Sequence, residues 1–275
     1  MSPHGDQRLL RQAPAFARLA RRGRRSRRRE LPAAVAQLDR AWARSRWAQL
    51  IRESFLRFVL NPIIDYYAAR RAVGREKLSG IRGPVILVAN HSSHLDTPVI
   101  LSALPRRLRR RTAVAAAADY FYRNRLVATV VSLIFNTVPI ERNGGGLTKN
   151  RGHLDSLLAQ GWNLLLYPEG TRSRGGAPGR VKRGAAVLAS THNLPVIPIR
   201  VTGTGNAMPP GRRWPHRSRG KLLSRRHRVE VSFGEPIPPL GDTAALIERI
   251  QRYFENGDGS PSPYRRVVDS MQRRY

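Results

Sequence analysis

The sequence predicts an α/β protein: a mostly parallel sheet flanked by helices, with an amphipathic helical region ahead of it. Three observations carry that prediction. From Val85 onward, short apolar runs of strand length alternate with stretches of helical character. Two of those runs open directly onto polar segments rich in reactive side chains, where open α/β sheets place their sites. Ahead of them, residues 31–72 carry apolar residues at three- and four-residue steps with arginines between, the pattern of an amphipathic helix.

Taken in order, residues 1–30 are a basic tail. Ten arginines and no acid lie between Arg8 and Arg29. Such a block repels itself and is expected to stay disordered until it meets an anion. A twin-arginine export signal needs an apolar region next, but Leu31 to Leu38 is short and runs into Asp39 and Arg40, so export is rejected. Within 31–72 the apolar positions are Trp42, Trp47, Leu50, Ile51, Phe55, Phe58 and Val59, and Pro62 is expected to break or kink the helix. Tryptophans beside arginines favour a membrane interface over packing on the core. Residues 31–80 are therefore read as interface helices, 81–255 as the α/β domain and 256–275 as a basic C-terminal tail.

Strands are predicted at Val85–Ala89, Ala113–Ala118, Thr137–Ile140, Asn163–Tyr167, Val196–Val201 and Arg228–Phe233. Helices are predicted at Pro98–Leu108, Arg123–Phe135, Lys149–Gln160, Lys182–Thr191 and Ala244–Phe254. Leu126 to Phe135 is the most apolar stretch. It is too short to span a bilayer and is read as a buried core helix, with a shallow membrane-dipping element as the alternative. Residues 211–228 form a second basic block around Trp214, expected as a surface loop.

Composition sets the outer limits. The chain has 275 residues, 50 Lys+Arg against 18 Asp+Glu, a formal net charge of +32 and no cysteine. An apolar share of 41% is enough for a core. The absence of cysteine excludes a disulfide scaffold, a thiolate metal site and a cysteine nucleophile. The positive excess calls for an anionic partner: nucleic acid, a lipid surface or phosphorylated substrates. All but four of the basic residues are arginines, which suit bidentate phosphate contact.

The strongest local signal is Asn90-His91-Ser92-Ser93-His94-Leu95-Asp96, between a buried strand and a helix that begins near Pro98. His91 and Asp96 are five apart and do not stack on one helix face. A turn into a helix can nonetheless fold Asp96 back onto the imidazole, fixing its tautomer and leaving the other nitrogen as a base. Asp96 as a plain helix cap is the competing reading. A metal pair of His91 with His94 lacks any supporting acidic cluster. The second signal is Tyr167-Pro168-Glu169-Gly170-Thr171-Arg172-Ser173-Arg174, which can close around an anion, with Lys182-Arg183-Gly184 at a helix start beyond it.

Together these segments resemble the glycerolipid acyltransferases. Asn90-His91 with Ser93 and Asp96 resembles the family's His-x4-Asp block, and Val138-Pro139-Ile140-Glu141-Arg142 its second block, with Pro139 where a hydrophobic residue or glycine is more usual. Tyr167 to Ser173 resembles the third, and Val196-Ile197-Pro198-Ile199 the fourth. The four blocks stand in the family's order over Val85 to Thr204. The resemblance implies His91 as general base on an acceptor hydroxyl and Asp96 as its orienting partner. It implies Arg142 on the acceptor's phosphate, Glu169 and Gly170 holding the acceptor with Thr171 and Arg172 beside them, and Lys182 as a second phosphate contact. Pro198 would shape the acyl or acceptor groove. The expected co-substrates are an acyl thioester, acyl-CoA or acyl carrier protein, and a lysophospholipid acceptor, foremost lysophosphatidate. No cofactor or metal is implied, and the expected partner is an anionic membrane surface on the cytoplasmic face. Other acceptors (a glycolipid, an aminolipid or glycerol 3-phosphate), a catalytically dead lipid-binding relative and an arginine-rich nucleic-acid binder are the rival readings. The arginines lie mostly outside the α/β core and no nucleic-acid module is recognisable, so no nucleic acid is expected.

Overall fold

The structure is a computed structural model that describes residues 37–141, 151–173, 179–218, 225–239 and 241–257. The arginine tail, Arg142, Arg174, the middle of the second basic block and the C-terminal tail lie outside the described residues.

The described chain opens with a short 3-10 turn, Ala41–Arg44, and then helix α1, Arg46–Phe55, capped by the Ser45 hydroxyl, which accepts the Ala48 N–H at 3.2 Å. Pro62 does not break the helix. A π-helical turn, Leu56–Leu60, leads straight into α2, Asn61–Tyr67, with Pro62 in its first turn. The Asn61 N–H reaches back to the Leu56 carbonyl, and this wider turn accommodates a residue that has no N–H to give the preceding turn.

The chain then enters β1, Ala68–Val73, which the sequence reading had placed within the helix and the interface region. The sheet therefore begins before residue 81. β1 was hidden because its own sequence, Ala-Ala-Arg-Arg-Ala-Val, lacks an apolar run. It is an edge strand made by pairing in parallel with β7, His227–Phe233. Edge strands with charged residues are normal in natural sheets.

The remaining strands fall close to their predicted places: β2 Ile86–Ala89, β3 Thr112–Ala117, β4 Thr137–Ile140, β5 Asn163–Leu166 and β6 Val196–Thr202. The order across the described sheet is β1-β7-β6-β2-β5-β3-β4. β2 to β6 are mutually parallel, and β7 turns antiparallel to β6. β2 and β5 at the centre are buried on both faces, hence their unbroken apolar runs.

The helices between the strands are α3 Asp96–Ala103, α4 Arg106–Arg110, α5 Ala118–Phe121, α6 Arg125–Phe135, α7 Arg151–Ala159, α8 Gly184–His192, α9 Thr204–Ala207 and α10 Thr243–Asn256. The single predicted helix Pro98–Leu108 divides at Pro105, because the residue before a proline is driven out of the helical region. One apolar cluster joins Leu87 and Ala89 to Leu56, Ile64 and the α3 residues Val99 and Ile100. The other joins Ile86 and Val88 to Leu154 and Leu157 of α7, Leu188 of α8 and Ile250 and Phe254 of α10. Alternate residues of one strand thus feed opposite faces, the condition for helices on both sides of a sheet.

α6 corrects a prediction. It is not a buried core helix: Ala128 and Ser132 are buried, but Leu126 is 71% exposed and Val127 and Val130 are also exposed. Its small residues face α1, which lies against it. There Arg52, itself 6% exposed, donates to the Ala43 carbonyl at 2.7 Å and to the Ser132 carbonyl at 3.2 Å. Burial lowers its pKa to about 10, still far above neutral, so this is a buried cation pinning α1 to α6. Arg52→Met should leave those carbonyls unpaired and destabilise the protein by about 1–3 kcal/mol in urea unfolding. An unchanged midpoint would show that apolar packing alone holds the two helices.

Candidate active site

The site lies at the carboxyl end of β2, where the chain turns into α3. Asn90 ends the strand with its side chain rather than its backbone. Its amide donates to the Val201 carbonyl at 2.9 Å, and its carbonyl accepts the Val201 N–H at 2.7 Å. This side-chain clamp holds the end of β2 to β6 while the backbone is released into the His91 turn.

The turn closes on Asp96, the first residue of α3, which is fully buried. Its Oδ2 meets His91 Nδ1 at 2.8 Å and accepts the N–H groups of Ser92 at 2.7 Å and Ser93 at 2.8 Å. Its Oδ1 accepts the Thr204 hydroxyl at 2.5 Å. The carboxylate thus does more than cap a helix. It folds back onto the imidazole, places the proton on Nδ1 and leaves the lone pair on Nε2. Ser93 secures the turn from the other side, donating its hydroxyl to the Met208 carbonyl at 2.7 Å.

The third block packs directly on this turn. The ring of Tyr167 stacks on His91 with centroids 4.2 Å apart, and the Tyr167 hydroxyl meets Thr97 Oγ1 at 2.8 Å. Burial, with the Asp96 charge adding to it, drives the Tyr167 pKa far up, so it is a neutral platform. Ser173 donates its N–H to the His91 carbonyl at 2.7 Å and its hydroxyl at 3.1 Å.

Glu169, in the third block, braces two loops. Oε1 accepts the His91 N–H at 2.9 Å and Oε2 the Gly179 N–H at 2.9 Å. It holds the His91 loop to the loop before α8. Burial pushes its carboxyl up, while these two hydrogen bonds pull it back. Gly170 adopts a left-handed conformation (φ +77°), and a Cβ there would meet Lys182 Nζ at 2.5 Å. The third block and Lys182 therefore lie side by side, with Lys182 exposed just ahead of α8. Thr171 is exposed and Arg172 half-buried beside them. Pro198 is buried in β6 opposite Val88 and packs on the Gly234 backbone, whose absent Cβ would meet Pro198 Cγ at 2.8 Å. His94 stacks on Tyr120, with centroids 5.7 Å apart. Among the described residues no group of three His, Asp or Glu side chains is placed to hold a metal ion.

The sequence offers no sign of Thr204 in the site, and it places Tyr167 in the third block without its stacking on His91. Thr204 is far from Asp96 in the chain, and only the β2–β6 pairing brings it near. Gly203, at φ +83°, makes the turn: a Cβ there would collide with the Arg228 carbonyl.

A family model described as acyltransferase matches residues 69–202, the part of the chain that holds the strand-to-helix turn and its oriented imidazole. A chloroplastic 1-acyl-sn-glycerol-3-phosphate acyltransferase of Brassica napus is 29% identical over 150 residues, 50% of this chain and 38% of that one. A probable 1-acyl-sn-glycerol-3-phosphate acyltransferase of Mycoplasma genitalium is 26% identical over 184 residues, 66% of this chain and 68% of that one. An N-acylphosphatidylethanolamine synthase of Arabidopsis thaliana is 33% identical over 180 residues, 60% and 61%. The crystal structure of a 1-acyl-sn-glycerophosphate acyltransferase from Thermotoga maritima shares the fold with a TM-score of 0.54 at 21% identity, covering 91% of this chain and 99% of that one. The chain spans less than two thirds of the length of several relatives it matches. Over residues 69–202 the chain is similar to the acyltransferases.

Thr204→Val keeps the side-chain shape but withdraws the hydroxyl from Asp96. A buried carboxylate oxygen short of a donor should cost about 1–3 kcal/mol. Thermal unfolding of the two proteins checks this, and equal stability would show that Asp96 needs no support from β6.

Proposed function

We propose that this protein is an O-acyltransferase that moves a fatty acyl chain from a thioester to the free hydroxyl of a lysophospholipid, foremost 1-acylglycerol 3-phosphate, giving phosphatidate. The observation that carries this reading is the His91–Asp96 pair, held by main-chain donors and Thr204 at the open end of the sheet. The names of several relatives support the acceptor.

In this mechanism His91 Nε2 takes the proton of the acceptor hydroxyl as its oxygen attacks the thioester carbonyl. The C–O bond forms, the C–S bond breaks, and the thiolate leaves with the proton from the imidazolium. Asp96 holds the ring and stabilises its charged form. No covalent acyl-enzyme and no cofactor is called for; acyl-CoA or acyl carrier protein is a co-substrate. Arg142 is proposed on the acceptor's phosphate, with Lys182, Arg172 and Thr171 as further acceptor contacts and Pro198 shaping the groove. A second acceptor class is favoured by one finding, the relative named N-acylphosphatidylethanolamine synthase, and takes in other lipid hydroxyls or amines.

His91→Ala should lower turnover by roughly 100- to 10,000-fold in a protein that still folds. The assay uses one labelled acyl-CoA with lysophosphatidate, glycerol 3-phosphate and phosphatidylethanolamine as acceptors. Near-normal turnover in folded His91→Ala would place the base elsewhere, and transfer only to another acceptor would replace lysophosphatidate.

The reading includes a peripheral membrane position at the cytoplasmic face. No helix of the described residues is long and apolar enough to cross a membrane. Trp47 is 76% exposed and Phe58 69%, with Leu50 and Ile51 also exposed on α1, and α6, which packs against α1, carries exposed Leu126, Val127 and Val130. Bulky apolar side chains among arginines suit the headgroup boundary. Trp47→Ser with Phe58→Ser should weaken sedimentation with anionic vesicles by about tenfold or more. Unchanged binding would move the membrane contact away from α1.

A further inference from the structure

Beyond the His91 turn, the same end of the sheet holds a second concave site. β7 runs antiparallel to β6, so its first residue, His227, lies at the end where β2 finishes. A cleft of about 450 Å³ opens there, lined by Arg212, His216, Arg217, Ser218 and His227. None of these residues is acidic. The nearby Asp65 has both carboxylate oxygens taken by Arg70, at 2.7 Å each.

The cleft is held in shape. The His216 N–H donates to the Ala207 carbonyl at 2.9 Å, and Ser218 and Arg225 exchange main-chain hydrogen bonds at 2.8 and 2.9 Å. Trp214 donates its indole N–H to the Tyr67 hydroxyl at 2.9 Å, and the Arg217 guanidinium lies 5.1 Å from the Tyr66 ring centroid. The rings of His216 and His227 stand 5.1 Å apart. His216 Nδ1 and His227 Nε2 are shielded from solvent and meet no hydrogen-bond partner among the described residues.

Two desolvated imidazole nitrogens that meet no partner among the described residues, gathered among cationic side chains, work against the fold, because positive charge is concentrated there and the nitrogens have lost their water. Burial, and then the neighbouring His216, lower the His227 pKa, a sign of the same unfavourable crowding. An anion of high charge density with several acceptor oxygens relieves both costs, and guanidinium forks match phosphate oxygens geometrically.

We propose that this cleft is a second phosphate-monoester site, separate from the acceptor contact given to Arg142. The chain itself links it to the reaction centre: the segment that leaves Thr204, on Asp96, runs through α9 to Arg212 and His216. Two sources bring a phosphate monoester to this end of the sheet, the 3′-phosphate of coenzyme A on a thioester donor and the headgroup of phosphatidate in the bilayer. The choice between them rests on the acyltransferase reading. The cleft's affinity for phosphate does not, and it is measured without turnover, so its failure is distinguishable from failure of the reaction.

The test compares full-length wild type with Arg212→Gln/Arg217→Gln and with a charge-matched control, Arg75→Gln/Arg107→Gln. Both control residues are exposed, at the opposite end of the sheet. Coenzyme A binding is read by calorimetry, and vesicle binding by sedimentation with phosphatidylcholine alone or with added phosphatidate. The cleft variant should weaken one or both monoester probes by about tenfold or more relative to the control. A loss confined to coenzyme A identifies the donor, a loss confined to phosphatidate vesicles identifies the lipid, and a loss of both supports a site that takes either. Because Arg217 also packs on Tyr66, the exposed Arg212→Gln alone is included and should show a severalfold loss in the same direction with an unchanged melting temperature. Equal effects of cleft and control variants on every probe, or an equal loss on pure phosphatidylcholine, would overturn the proposal.

Discussion

A buried carboxylate has to be fully satisfied or it destabilises the fold, and the satisfaction of Asp96 organises the surrounding structure. Four donors from two parts of the chain converge on its two oxygens: the His91 ring, the Ser92 and Ser93 main chain, and the Thr204 hydroxyl. Three of them come from the turn that Asp96 itself closes. The fourth comes from beyond β6, so the carboxylate ties the start of α3 to the neighbouring strand. Remove that convergence and neither the imidazole's orientation nor the entry of α3 is defined.

The rest of the site reads as layers around this bond set. Asn90 replaces a ladder pair and lets the backbone turn away without orphaning Val201. Glu169 and Ser173 hold the main chain of His91 from the far side, and Tyr167 covers one face of its ring. The imidazole is thus fixed on its backbone, one face and one nitrogen, while its side chain stays 19% exposed. A preorganised base needs this combination of rigid support and a reachable edge.

A different economy governs the N-terminal helices. Arg52 replaces apolar packing between α1 and α6 with a buried cation on two carbonyls, which leaves their large apolar residues turned outward. Alanine and serine on the contact side let the helices approach, and the bulk of Trp47, Phe58 and Leu126 is presented to the surroundings. The likeness to the acyltransferases concerns the sheet and its site; this outward face bears on where that site is carried.

Periodicity and spacing alone determined the α/β class, most strand positions and the two chemistry-bearing turns, because central parallel strands are buried on both faces and write themselves as unbroken apolar runs. Spacing allowed His91 to meet Asp96, since both lie in one turn, but left open Asp96 as a plain helix cap; the resemblance to the acyltransferases gave the pair its roles. What they could not determine was set by contacts distant in sequence. β1 exists because β7 lies beside it, its own residues carrying no strand signal. α6 was read as buried because its apolar content is plain in the sequence, whereas which way that content faces depends on Arg52 in another helix. Thr204 joins the site through the pairing of β2 with β6, and Glu169 accepts the main-chain N–H groups of His91 and Gly179, which stand far apart in the chain. Local pattern specifies which residues can bury or react; only the packed chain decides what satisfies each buried polar group, because those partners are chosen across the sheet and not along the sequence.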